Sequence, residues 1–333
     1  MIKELIIGFP LQVEKAIEIG KKIKKITPTA EIRNVVIAGL GGSGIGANIV
    51  ENWLQSRIKV PITISKNYTI PNFVNEHTLF VACSFSGGTE ETLSALAHAQ
   101  AQKAQIFAIT SGGKLMEKAK EDNFNFVQIP NEAPCPRAFL GYSLVQLLYG
   151  FLAHNLIDNF FEIDLENSVK KIKMYLPDMQ EIAKRLAKSA FEHHLLAYAD
   201  AQWSAILVRM QQQINENAKQ LVHINSMPEM NHNELVGWGL SKETYQKHTV
   251  WLIRSDLDAL RVDKRLSICK PIFEAKAGKV IQIKPKGNTF IEQSFWLIYL
   301  FDWVSWYLSE LNQVDAFEID VINHLKNELA KLK

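Results

Sequence analysis

Two short segments combine glycine with hydroxyl side chains in a pattern suited to holding an anion. The first, Gly39-Leu40-Gly41-Gly42-Ser43-Gly44, follows an apolar run at Val35-Val36-Ile37-Ala38 and precedes a helical stretch over Ile45–Leu54. A loop that opens a helix aims its first backbone N–H groups, and the positive end of the helix dipole, at whatever lies above it. The second, Ser84-Phe85-Ser86-Gly87-Gly88-Thr89, also joins an apolar run to a helical stretch, with Glu90 and Glu91 in the first turn. Ser84, Ser86 and Thr89 supply hydroxyl donors, Gly87 and Gly88 let the backbone approach, and Gly42 and Ser43 close the ring from the first loop. Two such loops on neighbouring strands can surround one phosphate. The plainer reading makes Ser86 or Thr89 a helix cap and the glycines turn residues, but capping does not require both hydroxyl-rich loops.

Other chemistries fit less well. Gly39, Gly41 and Gly44 also satisfy the GxGxxG spacing of a dinucleotide fold, which wants an acidic residue about 20 residues on; Lys66-Asn67 stands there instead. His193-His194 and Glu234 suggest metal ligands, yet adjacent histidines point apart on a helix or strand and no HExxH occurs, so no metal is expected. Cys83, Cys135 and Cys269 are odd in number and lack CxxC spacing, which suits small buried side chains in a reducing cytosol.

The elements that must position these loops read as α/β. Short apolar runs at Val35–Ala38, Leu79–Ala82 and Ile106–Ile109, with a shorter one near Phe126–Ile129, alternate with amphipathic stretches. This is the register of buried parallel strands joined by helices. The helix over Thr89–Ala104 is expected to bury Leu93, Leu96, Ala97, Ala101 and Ala104, with Gln100 as the polar exception. A mostly apolar helix from Ala138 to about His154 completes the first half, and the acidic stretch Asp158–Glu166 reads as a crossover. The pattern restarts with Leu195–Ala199, a helix through Ala218, Val250–Ile253, a helix near Leu257–Cys269, Val280–Ile283 and a long apolar helix around Phe290–Leu308. At about 100–200 residues per domain, 333 residues suggest two domains, 1–160 and 161–333.

Charge and hydropathy narrow the partners. A net charge of +2, from 37 basic against 35 acidic residues, offers no basic stripe for nucleic acid. The apolar stretches fall short of the ~20 residues that span a bilayer, and the segment Met1–Gly8 lacks the regions of a signal peptide. A cytoplasmic protein without membrane or nucleic-acid partners is expected.

The pairing of GGSG with SxSGxTxET resembles the sugar isomerase domain, a flavodoxin-like α/β module that binds phosphosugars. Along the whole chain the order of motifs is similar to that of the bifunctional phosphoglucose/phosphomannose isomerase family. It runs from GLGGSG and CSFSGGTEET through Pro136-Arg137-Ala138, Asn215-Glu216-Asn217-Ala218-Lys219 and Pro228-Glu229-Met230-Asn231-His232-Asn233 to Leu325-Lys326. The resemblance implies two sugar isomerase domains, each a parallel sheet with helices on both faces. It also implies a metal-independent aldose–ketose isomerase that interconverts glucose 6-phosphate and fructose 6-phosphate through an enediolate, without a cofactor.

By that resemblance Glu216 is the base, His232 assists ring opening from the neighbouring subunit of a homodimer with shared active sites, and Arg137 stabilises the enediolate. Lys326, grouped with Lys331 and Lys333, supports ring opening near the sugar. Activity on mannose 6-phosphate is left open, because the Thr-Pro of the family has no counterpart in Glu318-Ile319-Asp320-Val321. Ala201-Gln202-Trp203-Ser204 after the first strand of the second half is no phosphate loop, which predicts one phosphate site per chain. The alternative from another class is a non-catalytic phosphosugar-binding or sensing protein. Such regulators usually carry a helix-turn-helix, for which the early first strand leaves little room.

Overall fold

The computed structural model describes residues 1–133 and 135–331; Pro134, Leu332 and Lys333 lie outside the described residues. Helices α1 (Ile2–Ile7) and α2 (Phe9–Gly20) lead into β1 (Asn34–Ala38), α3 (Gly41–Leu54), β2 (Ile62–Ser65), β3 (Thr78–Ser84), α4 (Glu90–Ala101), β4 (Gln105–Thr110), α5 (Gly113–Glu121) and β5 (Asn125–Gln128). A 3₁₀ turn, Pro136–Phe139, runs into α6 (Leu140–Ala153). Next come α7 (Phe161–Met174), α8 (Leu176–Ala190), β6 (His194–Asp200), α9 (Ser204–Ala218), β7 (Val222–Met227), 3₁₀ turns Glu229–His232 and Glu234–Gly239, and α10 (Lys242–Tyr245). The chain ends with β8 (His248–Ile253), α11 (Leu260–Lys276), β9 (Lys279–Ile283), α12 (Phe290–Leu311) and α13 (Asp320–Leu329).

These elements form two compact units. One comprises Gly8–Lys173 with Gly287–Gln293; the other comprises Met1–Ile7, Met174–Lys286 and the chain from Ser294 onward. The boundary expected at residue 160 falls just ahead of α7, which groups with the residues before it.

In the first unit the strands are all parallel, in the order β2-β1-β3-β4-β5. All seven residues of β3 are buried, which is why a central strand reads as one apolar run. Val36, Ala38, Phe80, Ala82 and Ala108 meet Ala95, Leu96, Ala99 and Leu115 of α4 and α5 on one face. On the other, Phe107 lies so close to Gly150 of α6 that a Cβ there would stand 2.5 Å from the ring. The second unit repeats the plan with β7-β6-β8-β9, again parallel. Tyr198, Val250 and Leu252 pack on Val262, Leu266 and Phe273 of α11. Trp251 points the opposite way, bonding Ser189 of α8 at 3.1 Å and stacking on Phe301 of α12.

Three expectations are corrected. Helix α4 buries Thr92, Ala95, Leu96 and Ala99, whereas Ala97 and Ala101 are exposed. Alanine spacing fits either face, and it is Ala95, Leu96 and Ala99 that pack on the strands. The stretch Asp158–Glu166 is no open crossover: α7 begins at Phe161, with Glu162 and Asp164 in its first turn, where carboxylates favour the positive end of the helix dipole. Strands β2 and β7 are additional. Both are edge strands, and β7 carries His223, Asn225 and Ser226 in place of an apolar run.

Candidate functional site

The order of the first sheet reverses direction between β1 and β3, and ligands of open α/β sheets bind outside the carboxyl ends of the strands at such a switch point. The loops that follow these two strands are the hydroxyl- and glycine-rich ones. Gly41, at the first turn of α3, has φ +53°. Gly42 is small for a different reason, since a Cβ there would lie 3.2 Å from the Pro136 carbonyl oxygen and 3.5 Å from the Arg137 Cα. The first loop is thereby packed on the turn that carries Arg137, which is itself buried.

The second loop is held from beneath. Gly87 has φ +67°, and a Cβ on it would collide with the Gly112 carbonyl. Ser111 donates to the Phe85 carbonyl through both its amide (3.0 Å) and its hydroxyl (2.6 Å). The Phe85 ring stacks on Phe139 at 5.1 Å, and a small cavity lies among Gly42, Ser43, Cys83, Phe85, Pro136 and Phe139. Ser84 is buried and bonds Thr89 through their hydroxyls at 2.8 Å; Ser86 is exposed and accepts the Gly88 amide at 3.3 Å. Thr89 stands at the N-cap position of α4 yet directs no side-chain bond to that helix. Burial pushes the Cys83 thiol up to about 12, so it stays protonated beside the loops. Thus Gly42, Ser43, Arg137, Ser84, Ser86 and Thr89 belong to one cluster of three segments. At the end of β2 the Lys66 ammonium bonds Asn48 Oδ1 at 2.6 Å, where a dinucleotide site would want a carboxylate.

The equivalent switch point of the second sheet, between β6 and β8, is built differently. Asp200 accepts the Gln202 and Ala259 amides, and Asp258 accepts from Trp203 Nε1 at 2.8 Å and the Ser255 amide at 2.8 Å. The loops are bonded to each other, and burial together with the Asp200 charge raises the Asp258 carboxyl. Two carboxylates in this place repel a phosphate.

The remaining candidates stand on three elements of the second unit. Glu216 lies in the last turn of α9 and is half-buried. Among the mostly apolar buried residues of α9 runs a polar stripe: Arg209 and Gln213 bond Asp302 of α12 at 3.1 and 2.6 Å, and Asn217 bonds Ser305 at 2.9 Å. His232 closes the 3₁₀ turn after β7 and is exposed. Lys326 is exposed on α13; of its two expected companions, Lys331 lies just beyond α13 and Lys333 lies outside the described residues.

Two residues named in the sequence take organising roles that it did not indicate. The Glu234 carboxylate, two residues after His232, accepts Tyr198 Oη at 2.5 Å, His223 Nε2 at 2.8 Å and Asn225 Nδ2 at 2.5 Å. Its partner is thus His223, and not the His193-His194 pair of the metal reading. Burial pushes Glu234 up, but the bonds from His223, Tyr198 and Asn225 outweigh it and leave the carboxyl below its ordinary value. The other is Lys219, whose ammonium meets three carbonyl oxygens. Among the described residues no group of three or more His, Cys, Asp or Glu side chains could hold a metal ion, and no helix is long and apolar enough to cross a membrane.

Two parallel-sheet units, one with paired hydroxyl loops at its switch point, define a protein of the double sugar-isomerase (SIS) class. Residues 30–133 match the SIS domain model, and residues 179–329 match the bacterial phospho-glucose isomerase C-terminal SIS domain. The fold is shared with the C-terminal domain of glucosamine-fructose-6-phosphate aminotransferase from Francisella tularensis. That comparison has a TM-score of 0.73 at 13% identity, over 95% of this chain and 96% of that one.

Within that class the sequence is much closer to one group. A bifunctional phosphoglucose/phosphomannose isomerase from Caldicellulosiruptor bescii is 36% identical over 99% of both chains. One from Aquifex aeolicus is 34% identical over 92% of this chain and 93% of its own. The chain belongs to the bifunctional phosphoglucose/phosphomannose isomerase family.

Proposed function

We propose that this protein interconverts glucose 6-phosphate and fructose 6-phosphate by moving one proton between C1 and C2 through an enediolate, an intramolecular oxidoreduction. The observation that carries the reading is the near full-length likeness to chains of that name. The hydroxyl-lined loops at the switch point add the anion site that a sugar phosphate needs.

The reaction needs a carboxylate base beside the reacting carbons, an acid near the ring oxygen and a fixed cation for the developing oxyanion. Glu216 takes the first role, His232 the second with support from Lys326, and Arg137 the third. Gly42, Ser43, Ser84, Ser86 and Thr89 hold the phosphate. No cofactor is required, because the electrons that leave C2 as its proton is removed return to the same molecule at C1. The exposure of His232 is compatible with donation to a neighbouring subunit, and the working unit in this reading is a cytoplasmic homodimer. Mannose 6-phosphate is a second substrate in the names of the relatives, and is proposed here on that ground alone.

A coupled assay with glucose, fructose and mannose 6-phosphates tests the reading directly. Isomerisation between the first two is expected, and it should survive prolonged EDTA treatment. Binding without turnover of any of the three would replace the enzyme with a phosphosugar-binding protein.

A further inference from the structure

We propose that Lys219 is a positioning residue, which fixes the last turn of α9, where Glu216 stands, against the segment that leads into α13 and Lys326. The inference rests on the roles given above to Glu216 and Lys326.

Helix α9 ends at Ala218, and Lys219 follows in the left-handed region with φ 55° and ψ 31°. Helices commonly end in this conformation, but on glycine or asparagine, because a Cβ is crowded there. A lysine at such a site carries a steric penalty that those residues avoid, and residues held this way tend to cluster where function requires them. Lys219 is exposed and its ammonium lies 3.7 Å from the Glu318 carboxylate, yet it is not directed into water as a free surface lysine would be. Here its three N–H donors face three backbone carbonyls: Glu216 at 2.9 Å, Asp315 at 2.9 Å and Glu318 at 2.7 Å. The first closes on the turn that bears the proposed base. The other two lie almost a hundred residues further along the chain.

A second contact reinforces the same junction. Asn312 Nδ2 donates to the Ala218 carbonyl at 2.8 Å, so residues 312–318 are laced to the end of α9 by both side chains. The chain then enters α13 at Asp320, and α13 buries no side chain. Packing therefore does little to place that helix, and the bonds at its root do more. The competing explanation is a plain helix C-cap, for which asparagine would serve as well as lysine or better.

That difference makes Lys219→Asn the informative variant in the full-length protein. Its melting temperature should stay near that of wild type and its affinity for fructose 6-phosphate, by calorimetry, within about threefold, while kcat falls at least about tenfold, since misplacing a reacting group by ~1 Å can cost on the order of 100-fold. Amide hydrogen exchange over residues 315–329 should quicken. Lys219→Cys should be equally slow and regain kcat on aminoethylation of its thiol, which restores an ammonium at the reach of lysine.

A folded Lys219→Asn protein with kcat within about twofold of wild type overturns the inference, provided Glu216→Gln is inactive in the same assay. Full turnover by Glu216→Gln would instead remove the reading beneath it. Should Lys219→Asn fail to fold, the aminoethylated Lys219→Cys protein decides: recovered kcat supports the role, and a folded but slow protein overturns it.

Discussion

Ser84 Oγ and Thr89 Oγ1 share a hydrogen bond of 2.8 Å across the turn that joins β3 to α4, so the threonine at the helix N-cap position bonds a neighbour of the loop and not the helix. The hydroxyl pair is held with its glycine neighbours at the carboxyl end of a fully buried central strand. A phosphate above the loop would accept from these hydroxyls as an ionised partner, and hydrogen bonds to charged groups are worth about 1.5–3 kcal/mol each. Ser86→Ala combined with Thr89→Ala should therefore raise KM for the sugar phosphate by about tenfold or more. The melting temperature should fall modestly, because α4 loses no side-chain cap but Thr89→Ala takes away the 2.8 Å partner of the buried Ser84 hydroxyl. Unchanged phosphosugar affinity in calorimetry would return both residues to a structural role in the turn.

Replacing Glu216 by glutamine keeps the shape of the side chain and removes its ability to accept the C2 proton. Turnover should fall by at least about a thousandfold, while phosphosugar affinity stays within a few-fold, because in the proposed site the phosphate is held by the hydroxyl loops. Near wild-type turnover by the purified variant would eliminate Glu216 as the base.

The contrast between these two predictions mirrors what could be read from residues alone. The paired loops after β1 and β3 were legible because glycine and hydroxyl types sit together, between an apolar strand and a helix, within a few positions of each other. Strands β1, β3, β4, β6 and β8 were legible for a related reason: buried parallel strands are short, nearly continuous apolar runs. Edge strands β2 and β7 were not, since a half-exposed strand admits His223 and Asn225 where a central one would have valine. Glu216, His232 and Lys326 could be proposed only through family likeness, because the residues that organise them are distant in the chain. Lys219 finds Asp315 96 residues away, and Arg209 finds Asp302 93 residues away. No local spacing rule reaches that far.

The pairing of His223 with Glu234 makes stability depend on pH in a stated direction. The bond to Glu234 raises the His223 imidazole above its ordinary value, against the opposing effect of burial. A group whose pKa is raised in the folded protein stabilises it fully below the unfolded value, near 6.5, and loses that contribution as pH climbs through the folded value. Glu234, held below its ordinary value of 4.5, has the opposite sign and loses its contribution only in more acidic solution. His223→Gln keeps a donor toward Glu234 without the charge. The melting-temperature advantage of wild type over this variant should therefore be present at about pH 6 and shrink toward pH 8. A difference that is flat across this range would mean that the imidazole binds its proton equally well in the folded and unfolded chain, so that Glu234 does not favour its charged form.

The last prediction concerns the proposed dimer with shared sites. Glu216 ends a helix, whereas His232 stands exposed on a turn beyond the next strand, so a partner subunit can receive the histidine without moving the base. If each site takes Glu216 from one chain and His232 from the other, mixing Glu216→Gln with His232→Ala regenerates activity from two inactive proteins. In a mixed two-fold dimer one site carries both defects and the other carries neither. Random exchange makes half the dimers mixed, so recovery should approach roughly a quarter of the wild-type sites. Subunit exchange is verified independently, by mass spectrometry of differently tagged chains. A fully exchanged mixture that remains inactive would place His232 in the site of its own chain, or outside the reaction.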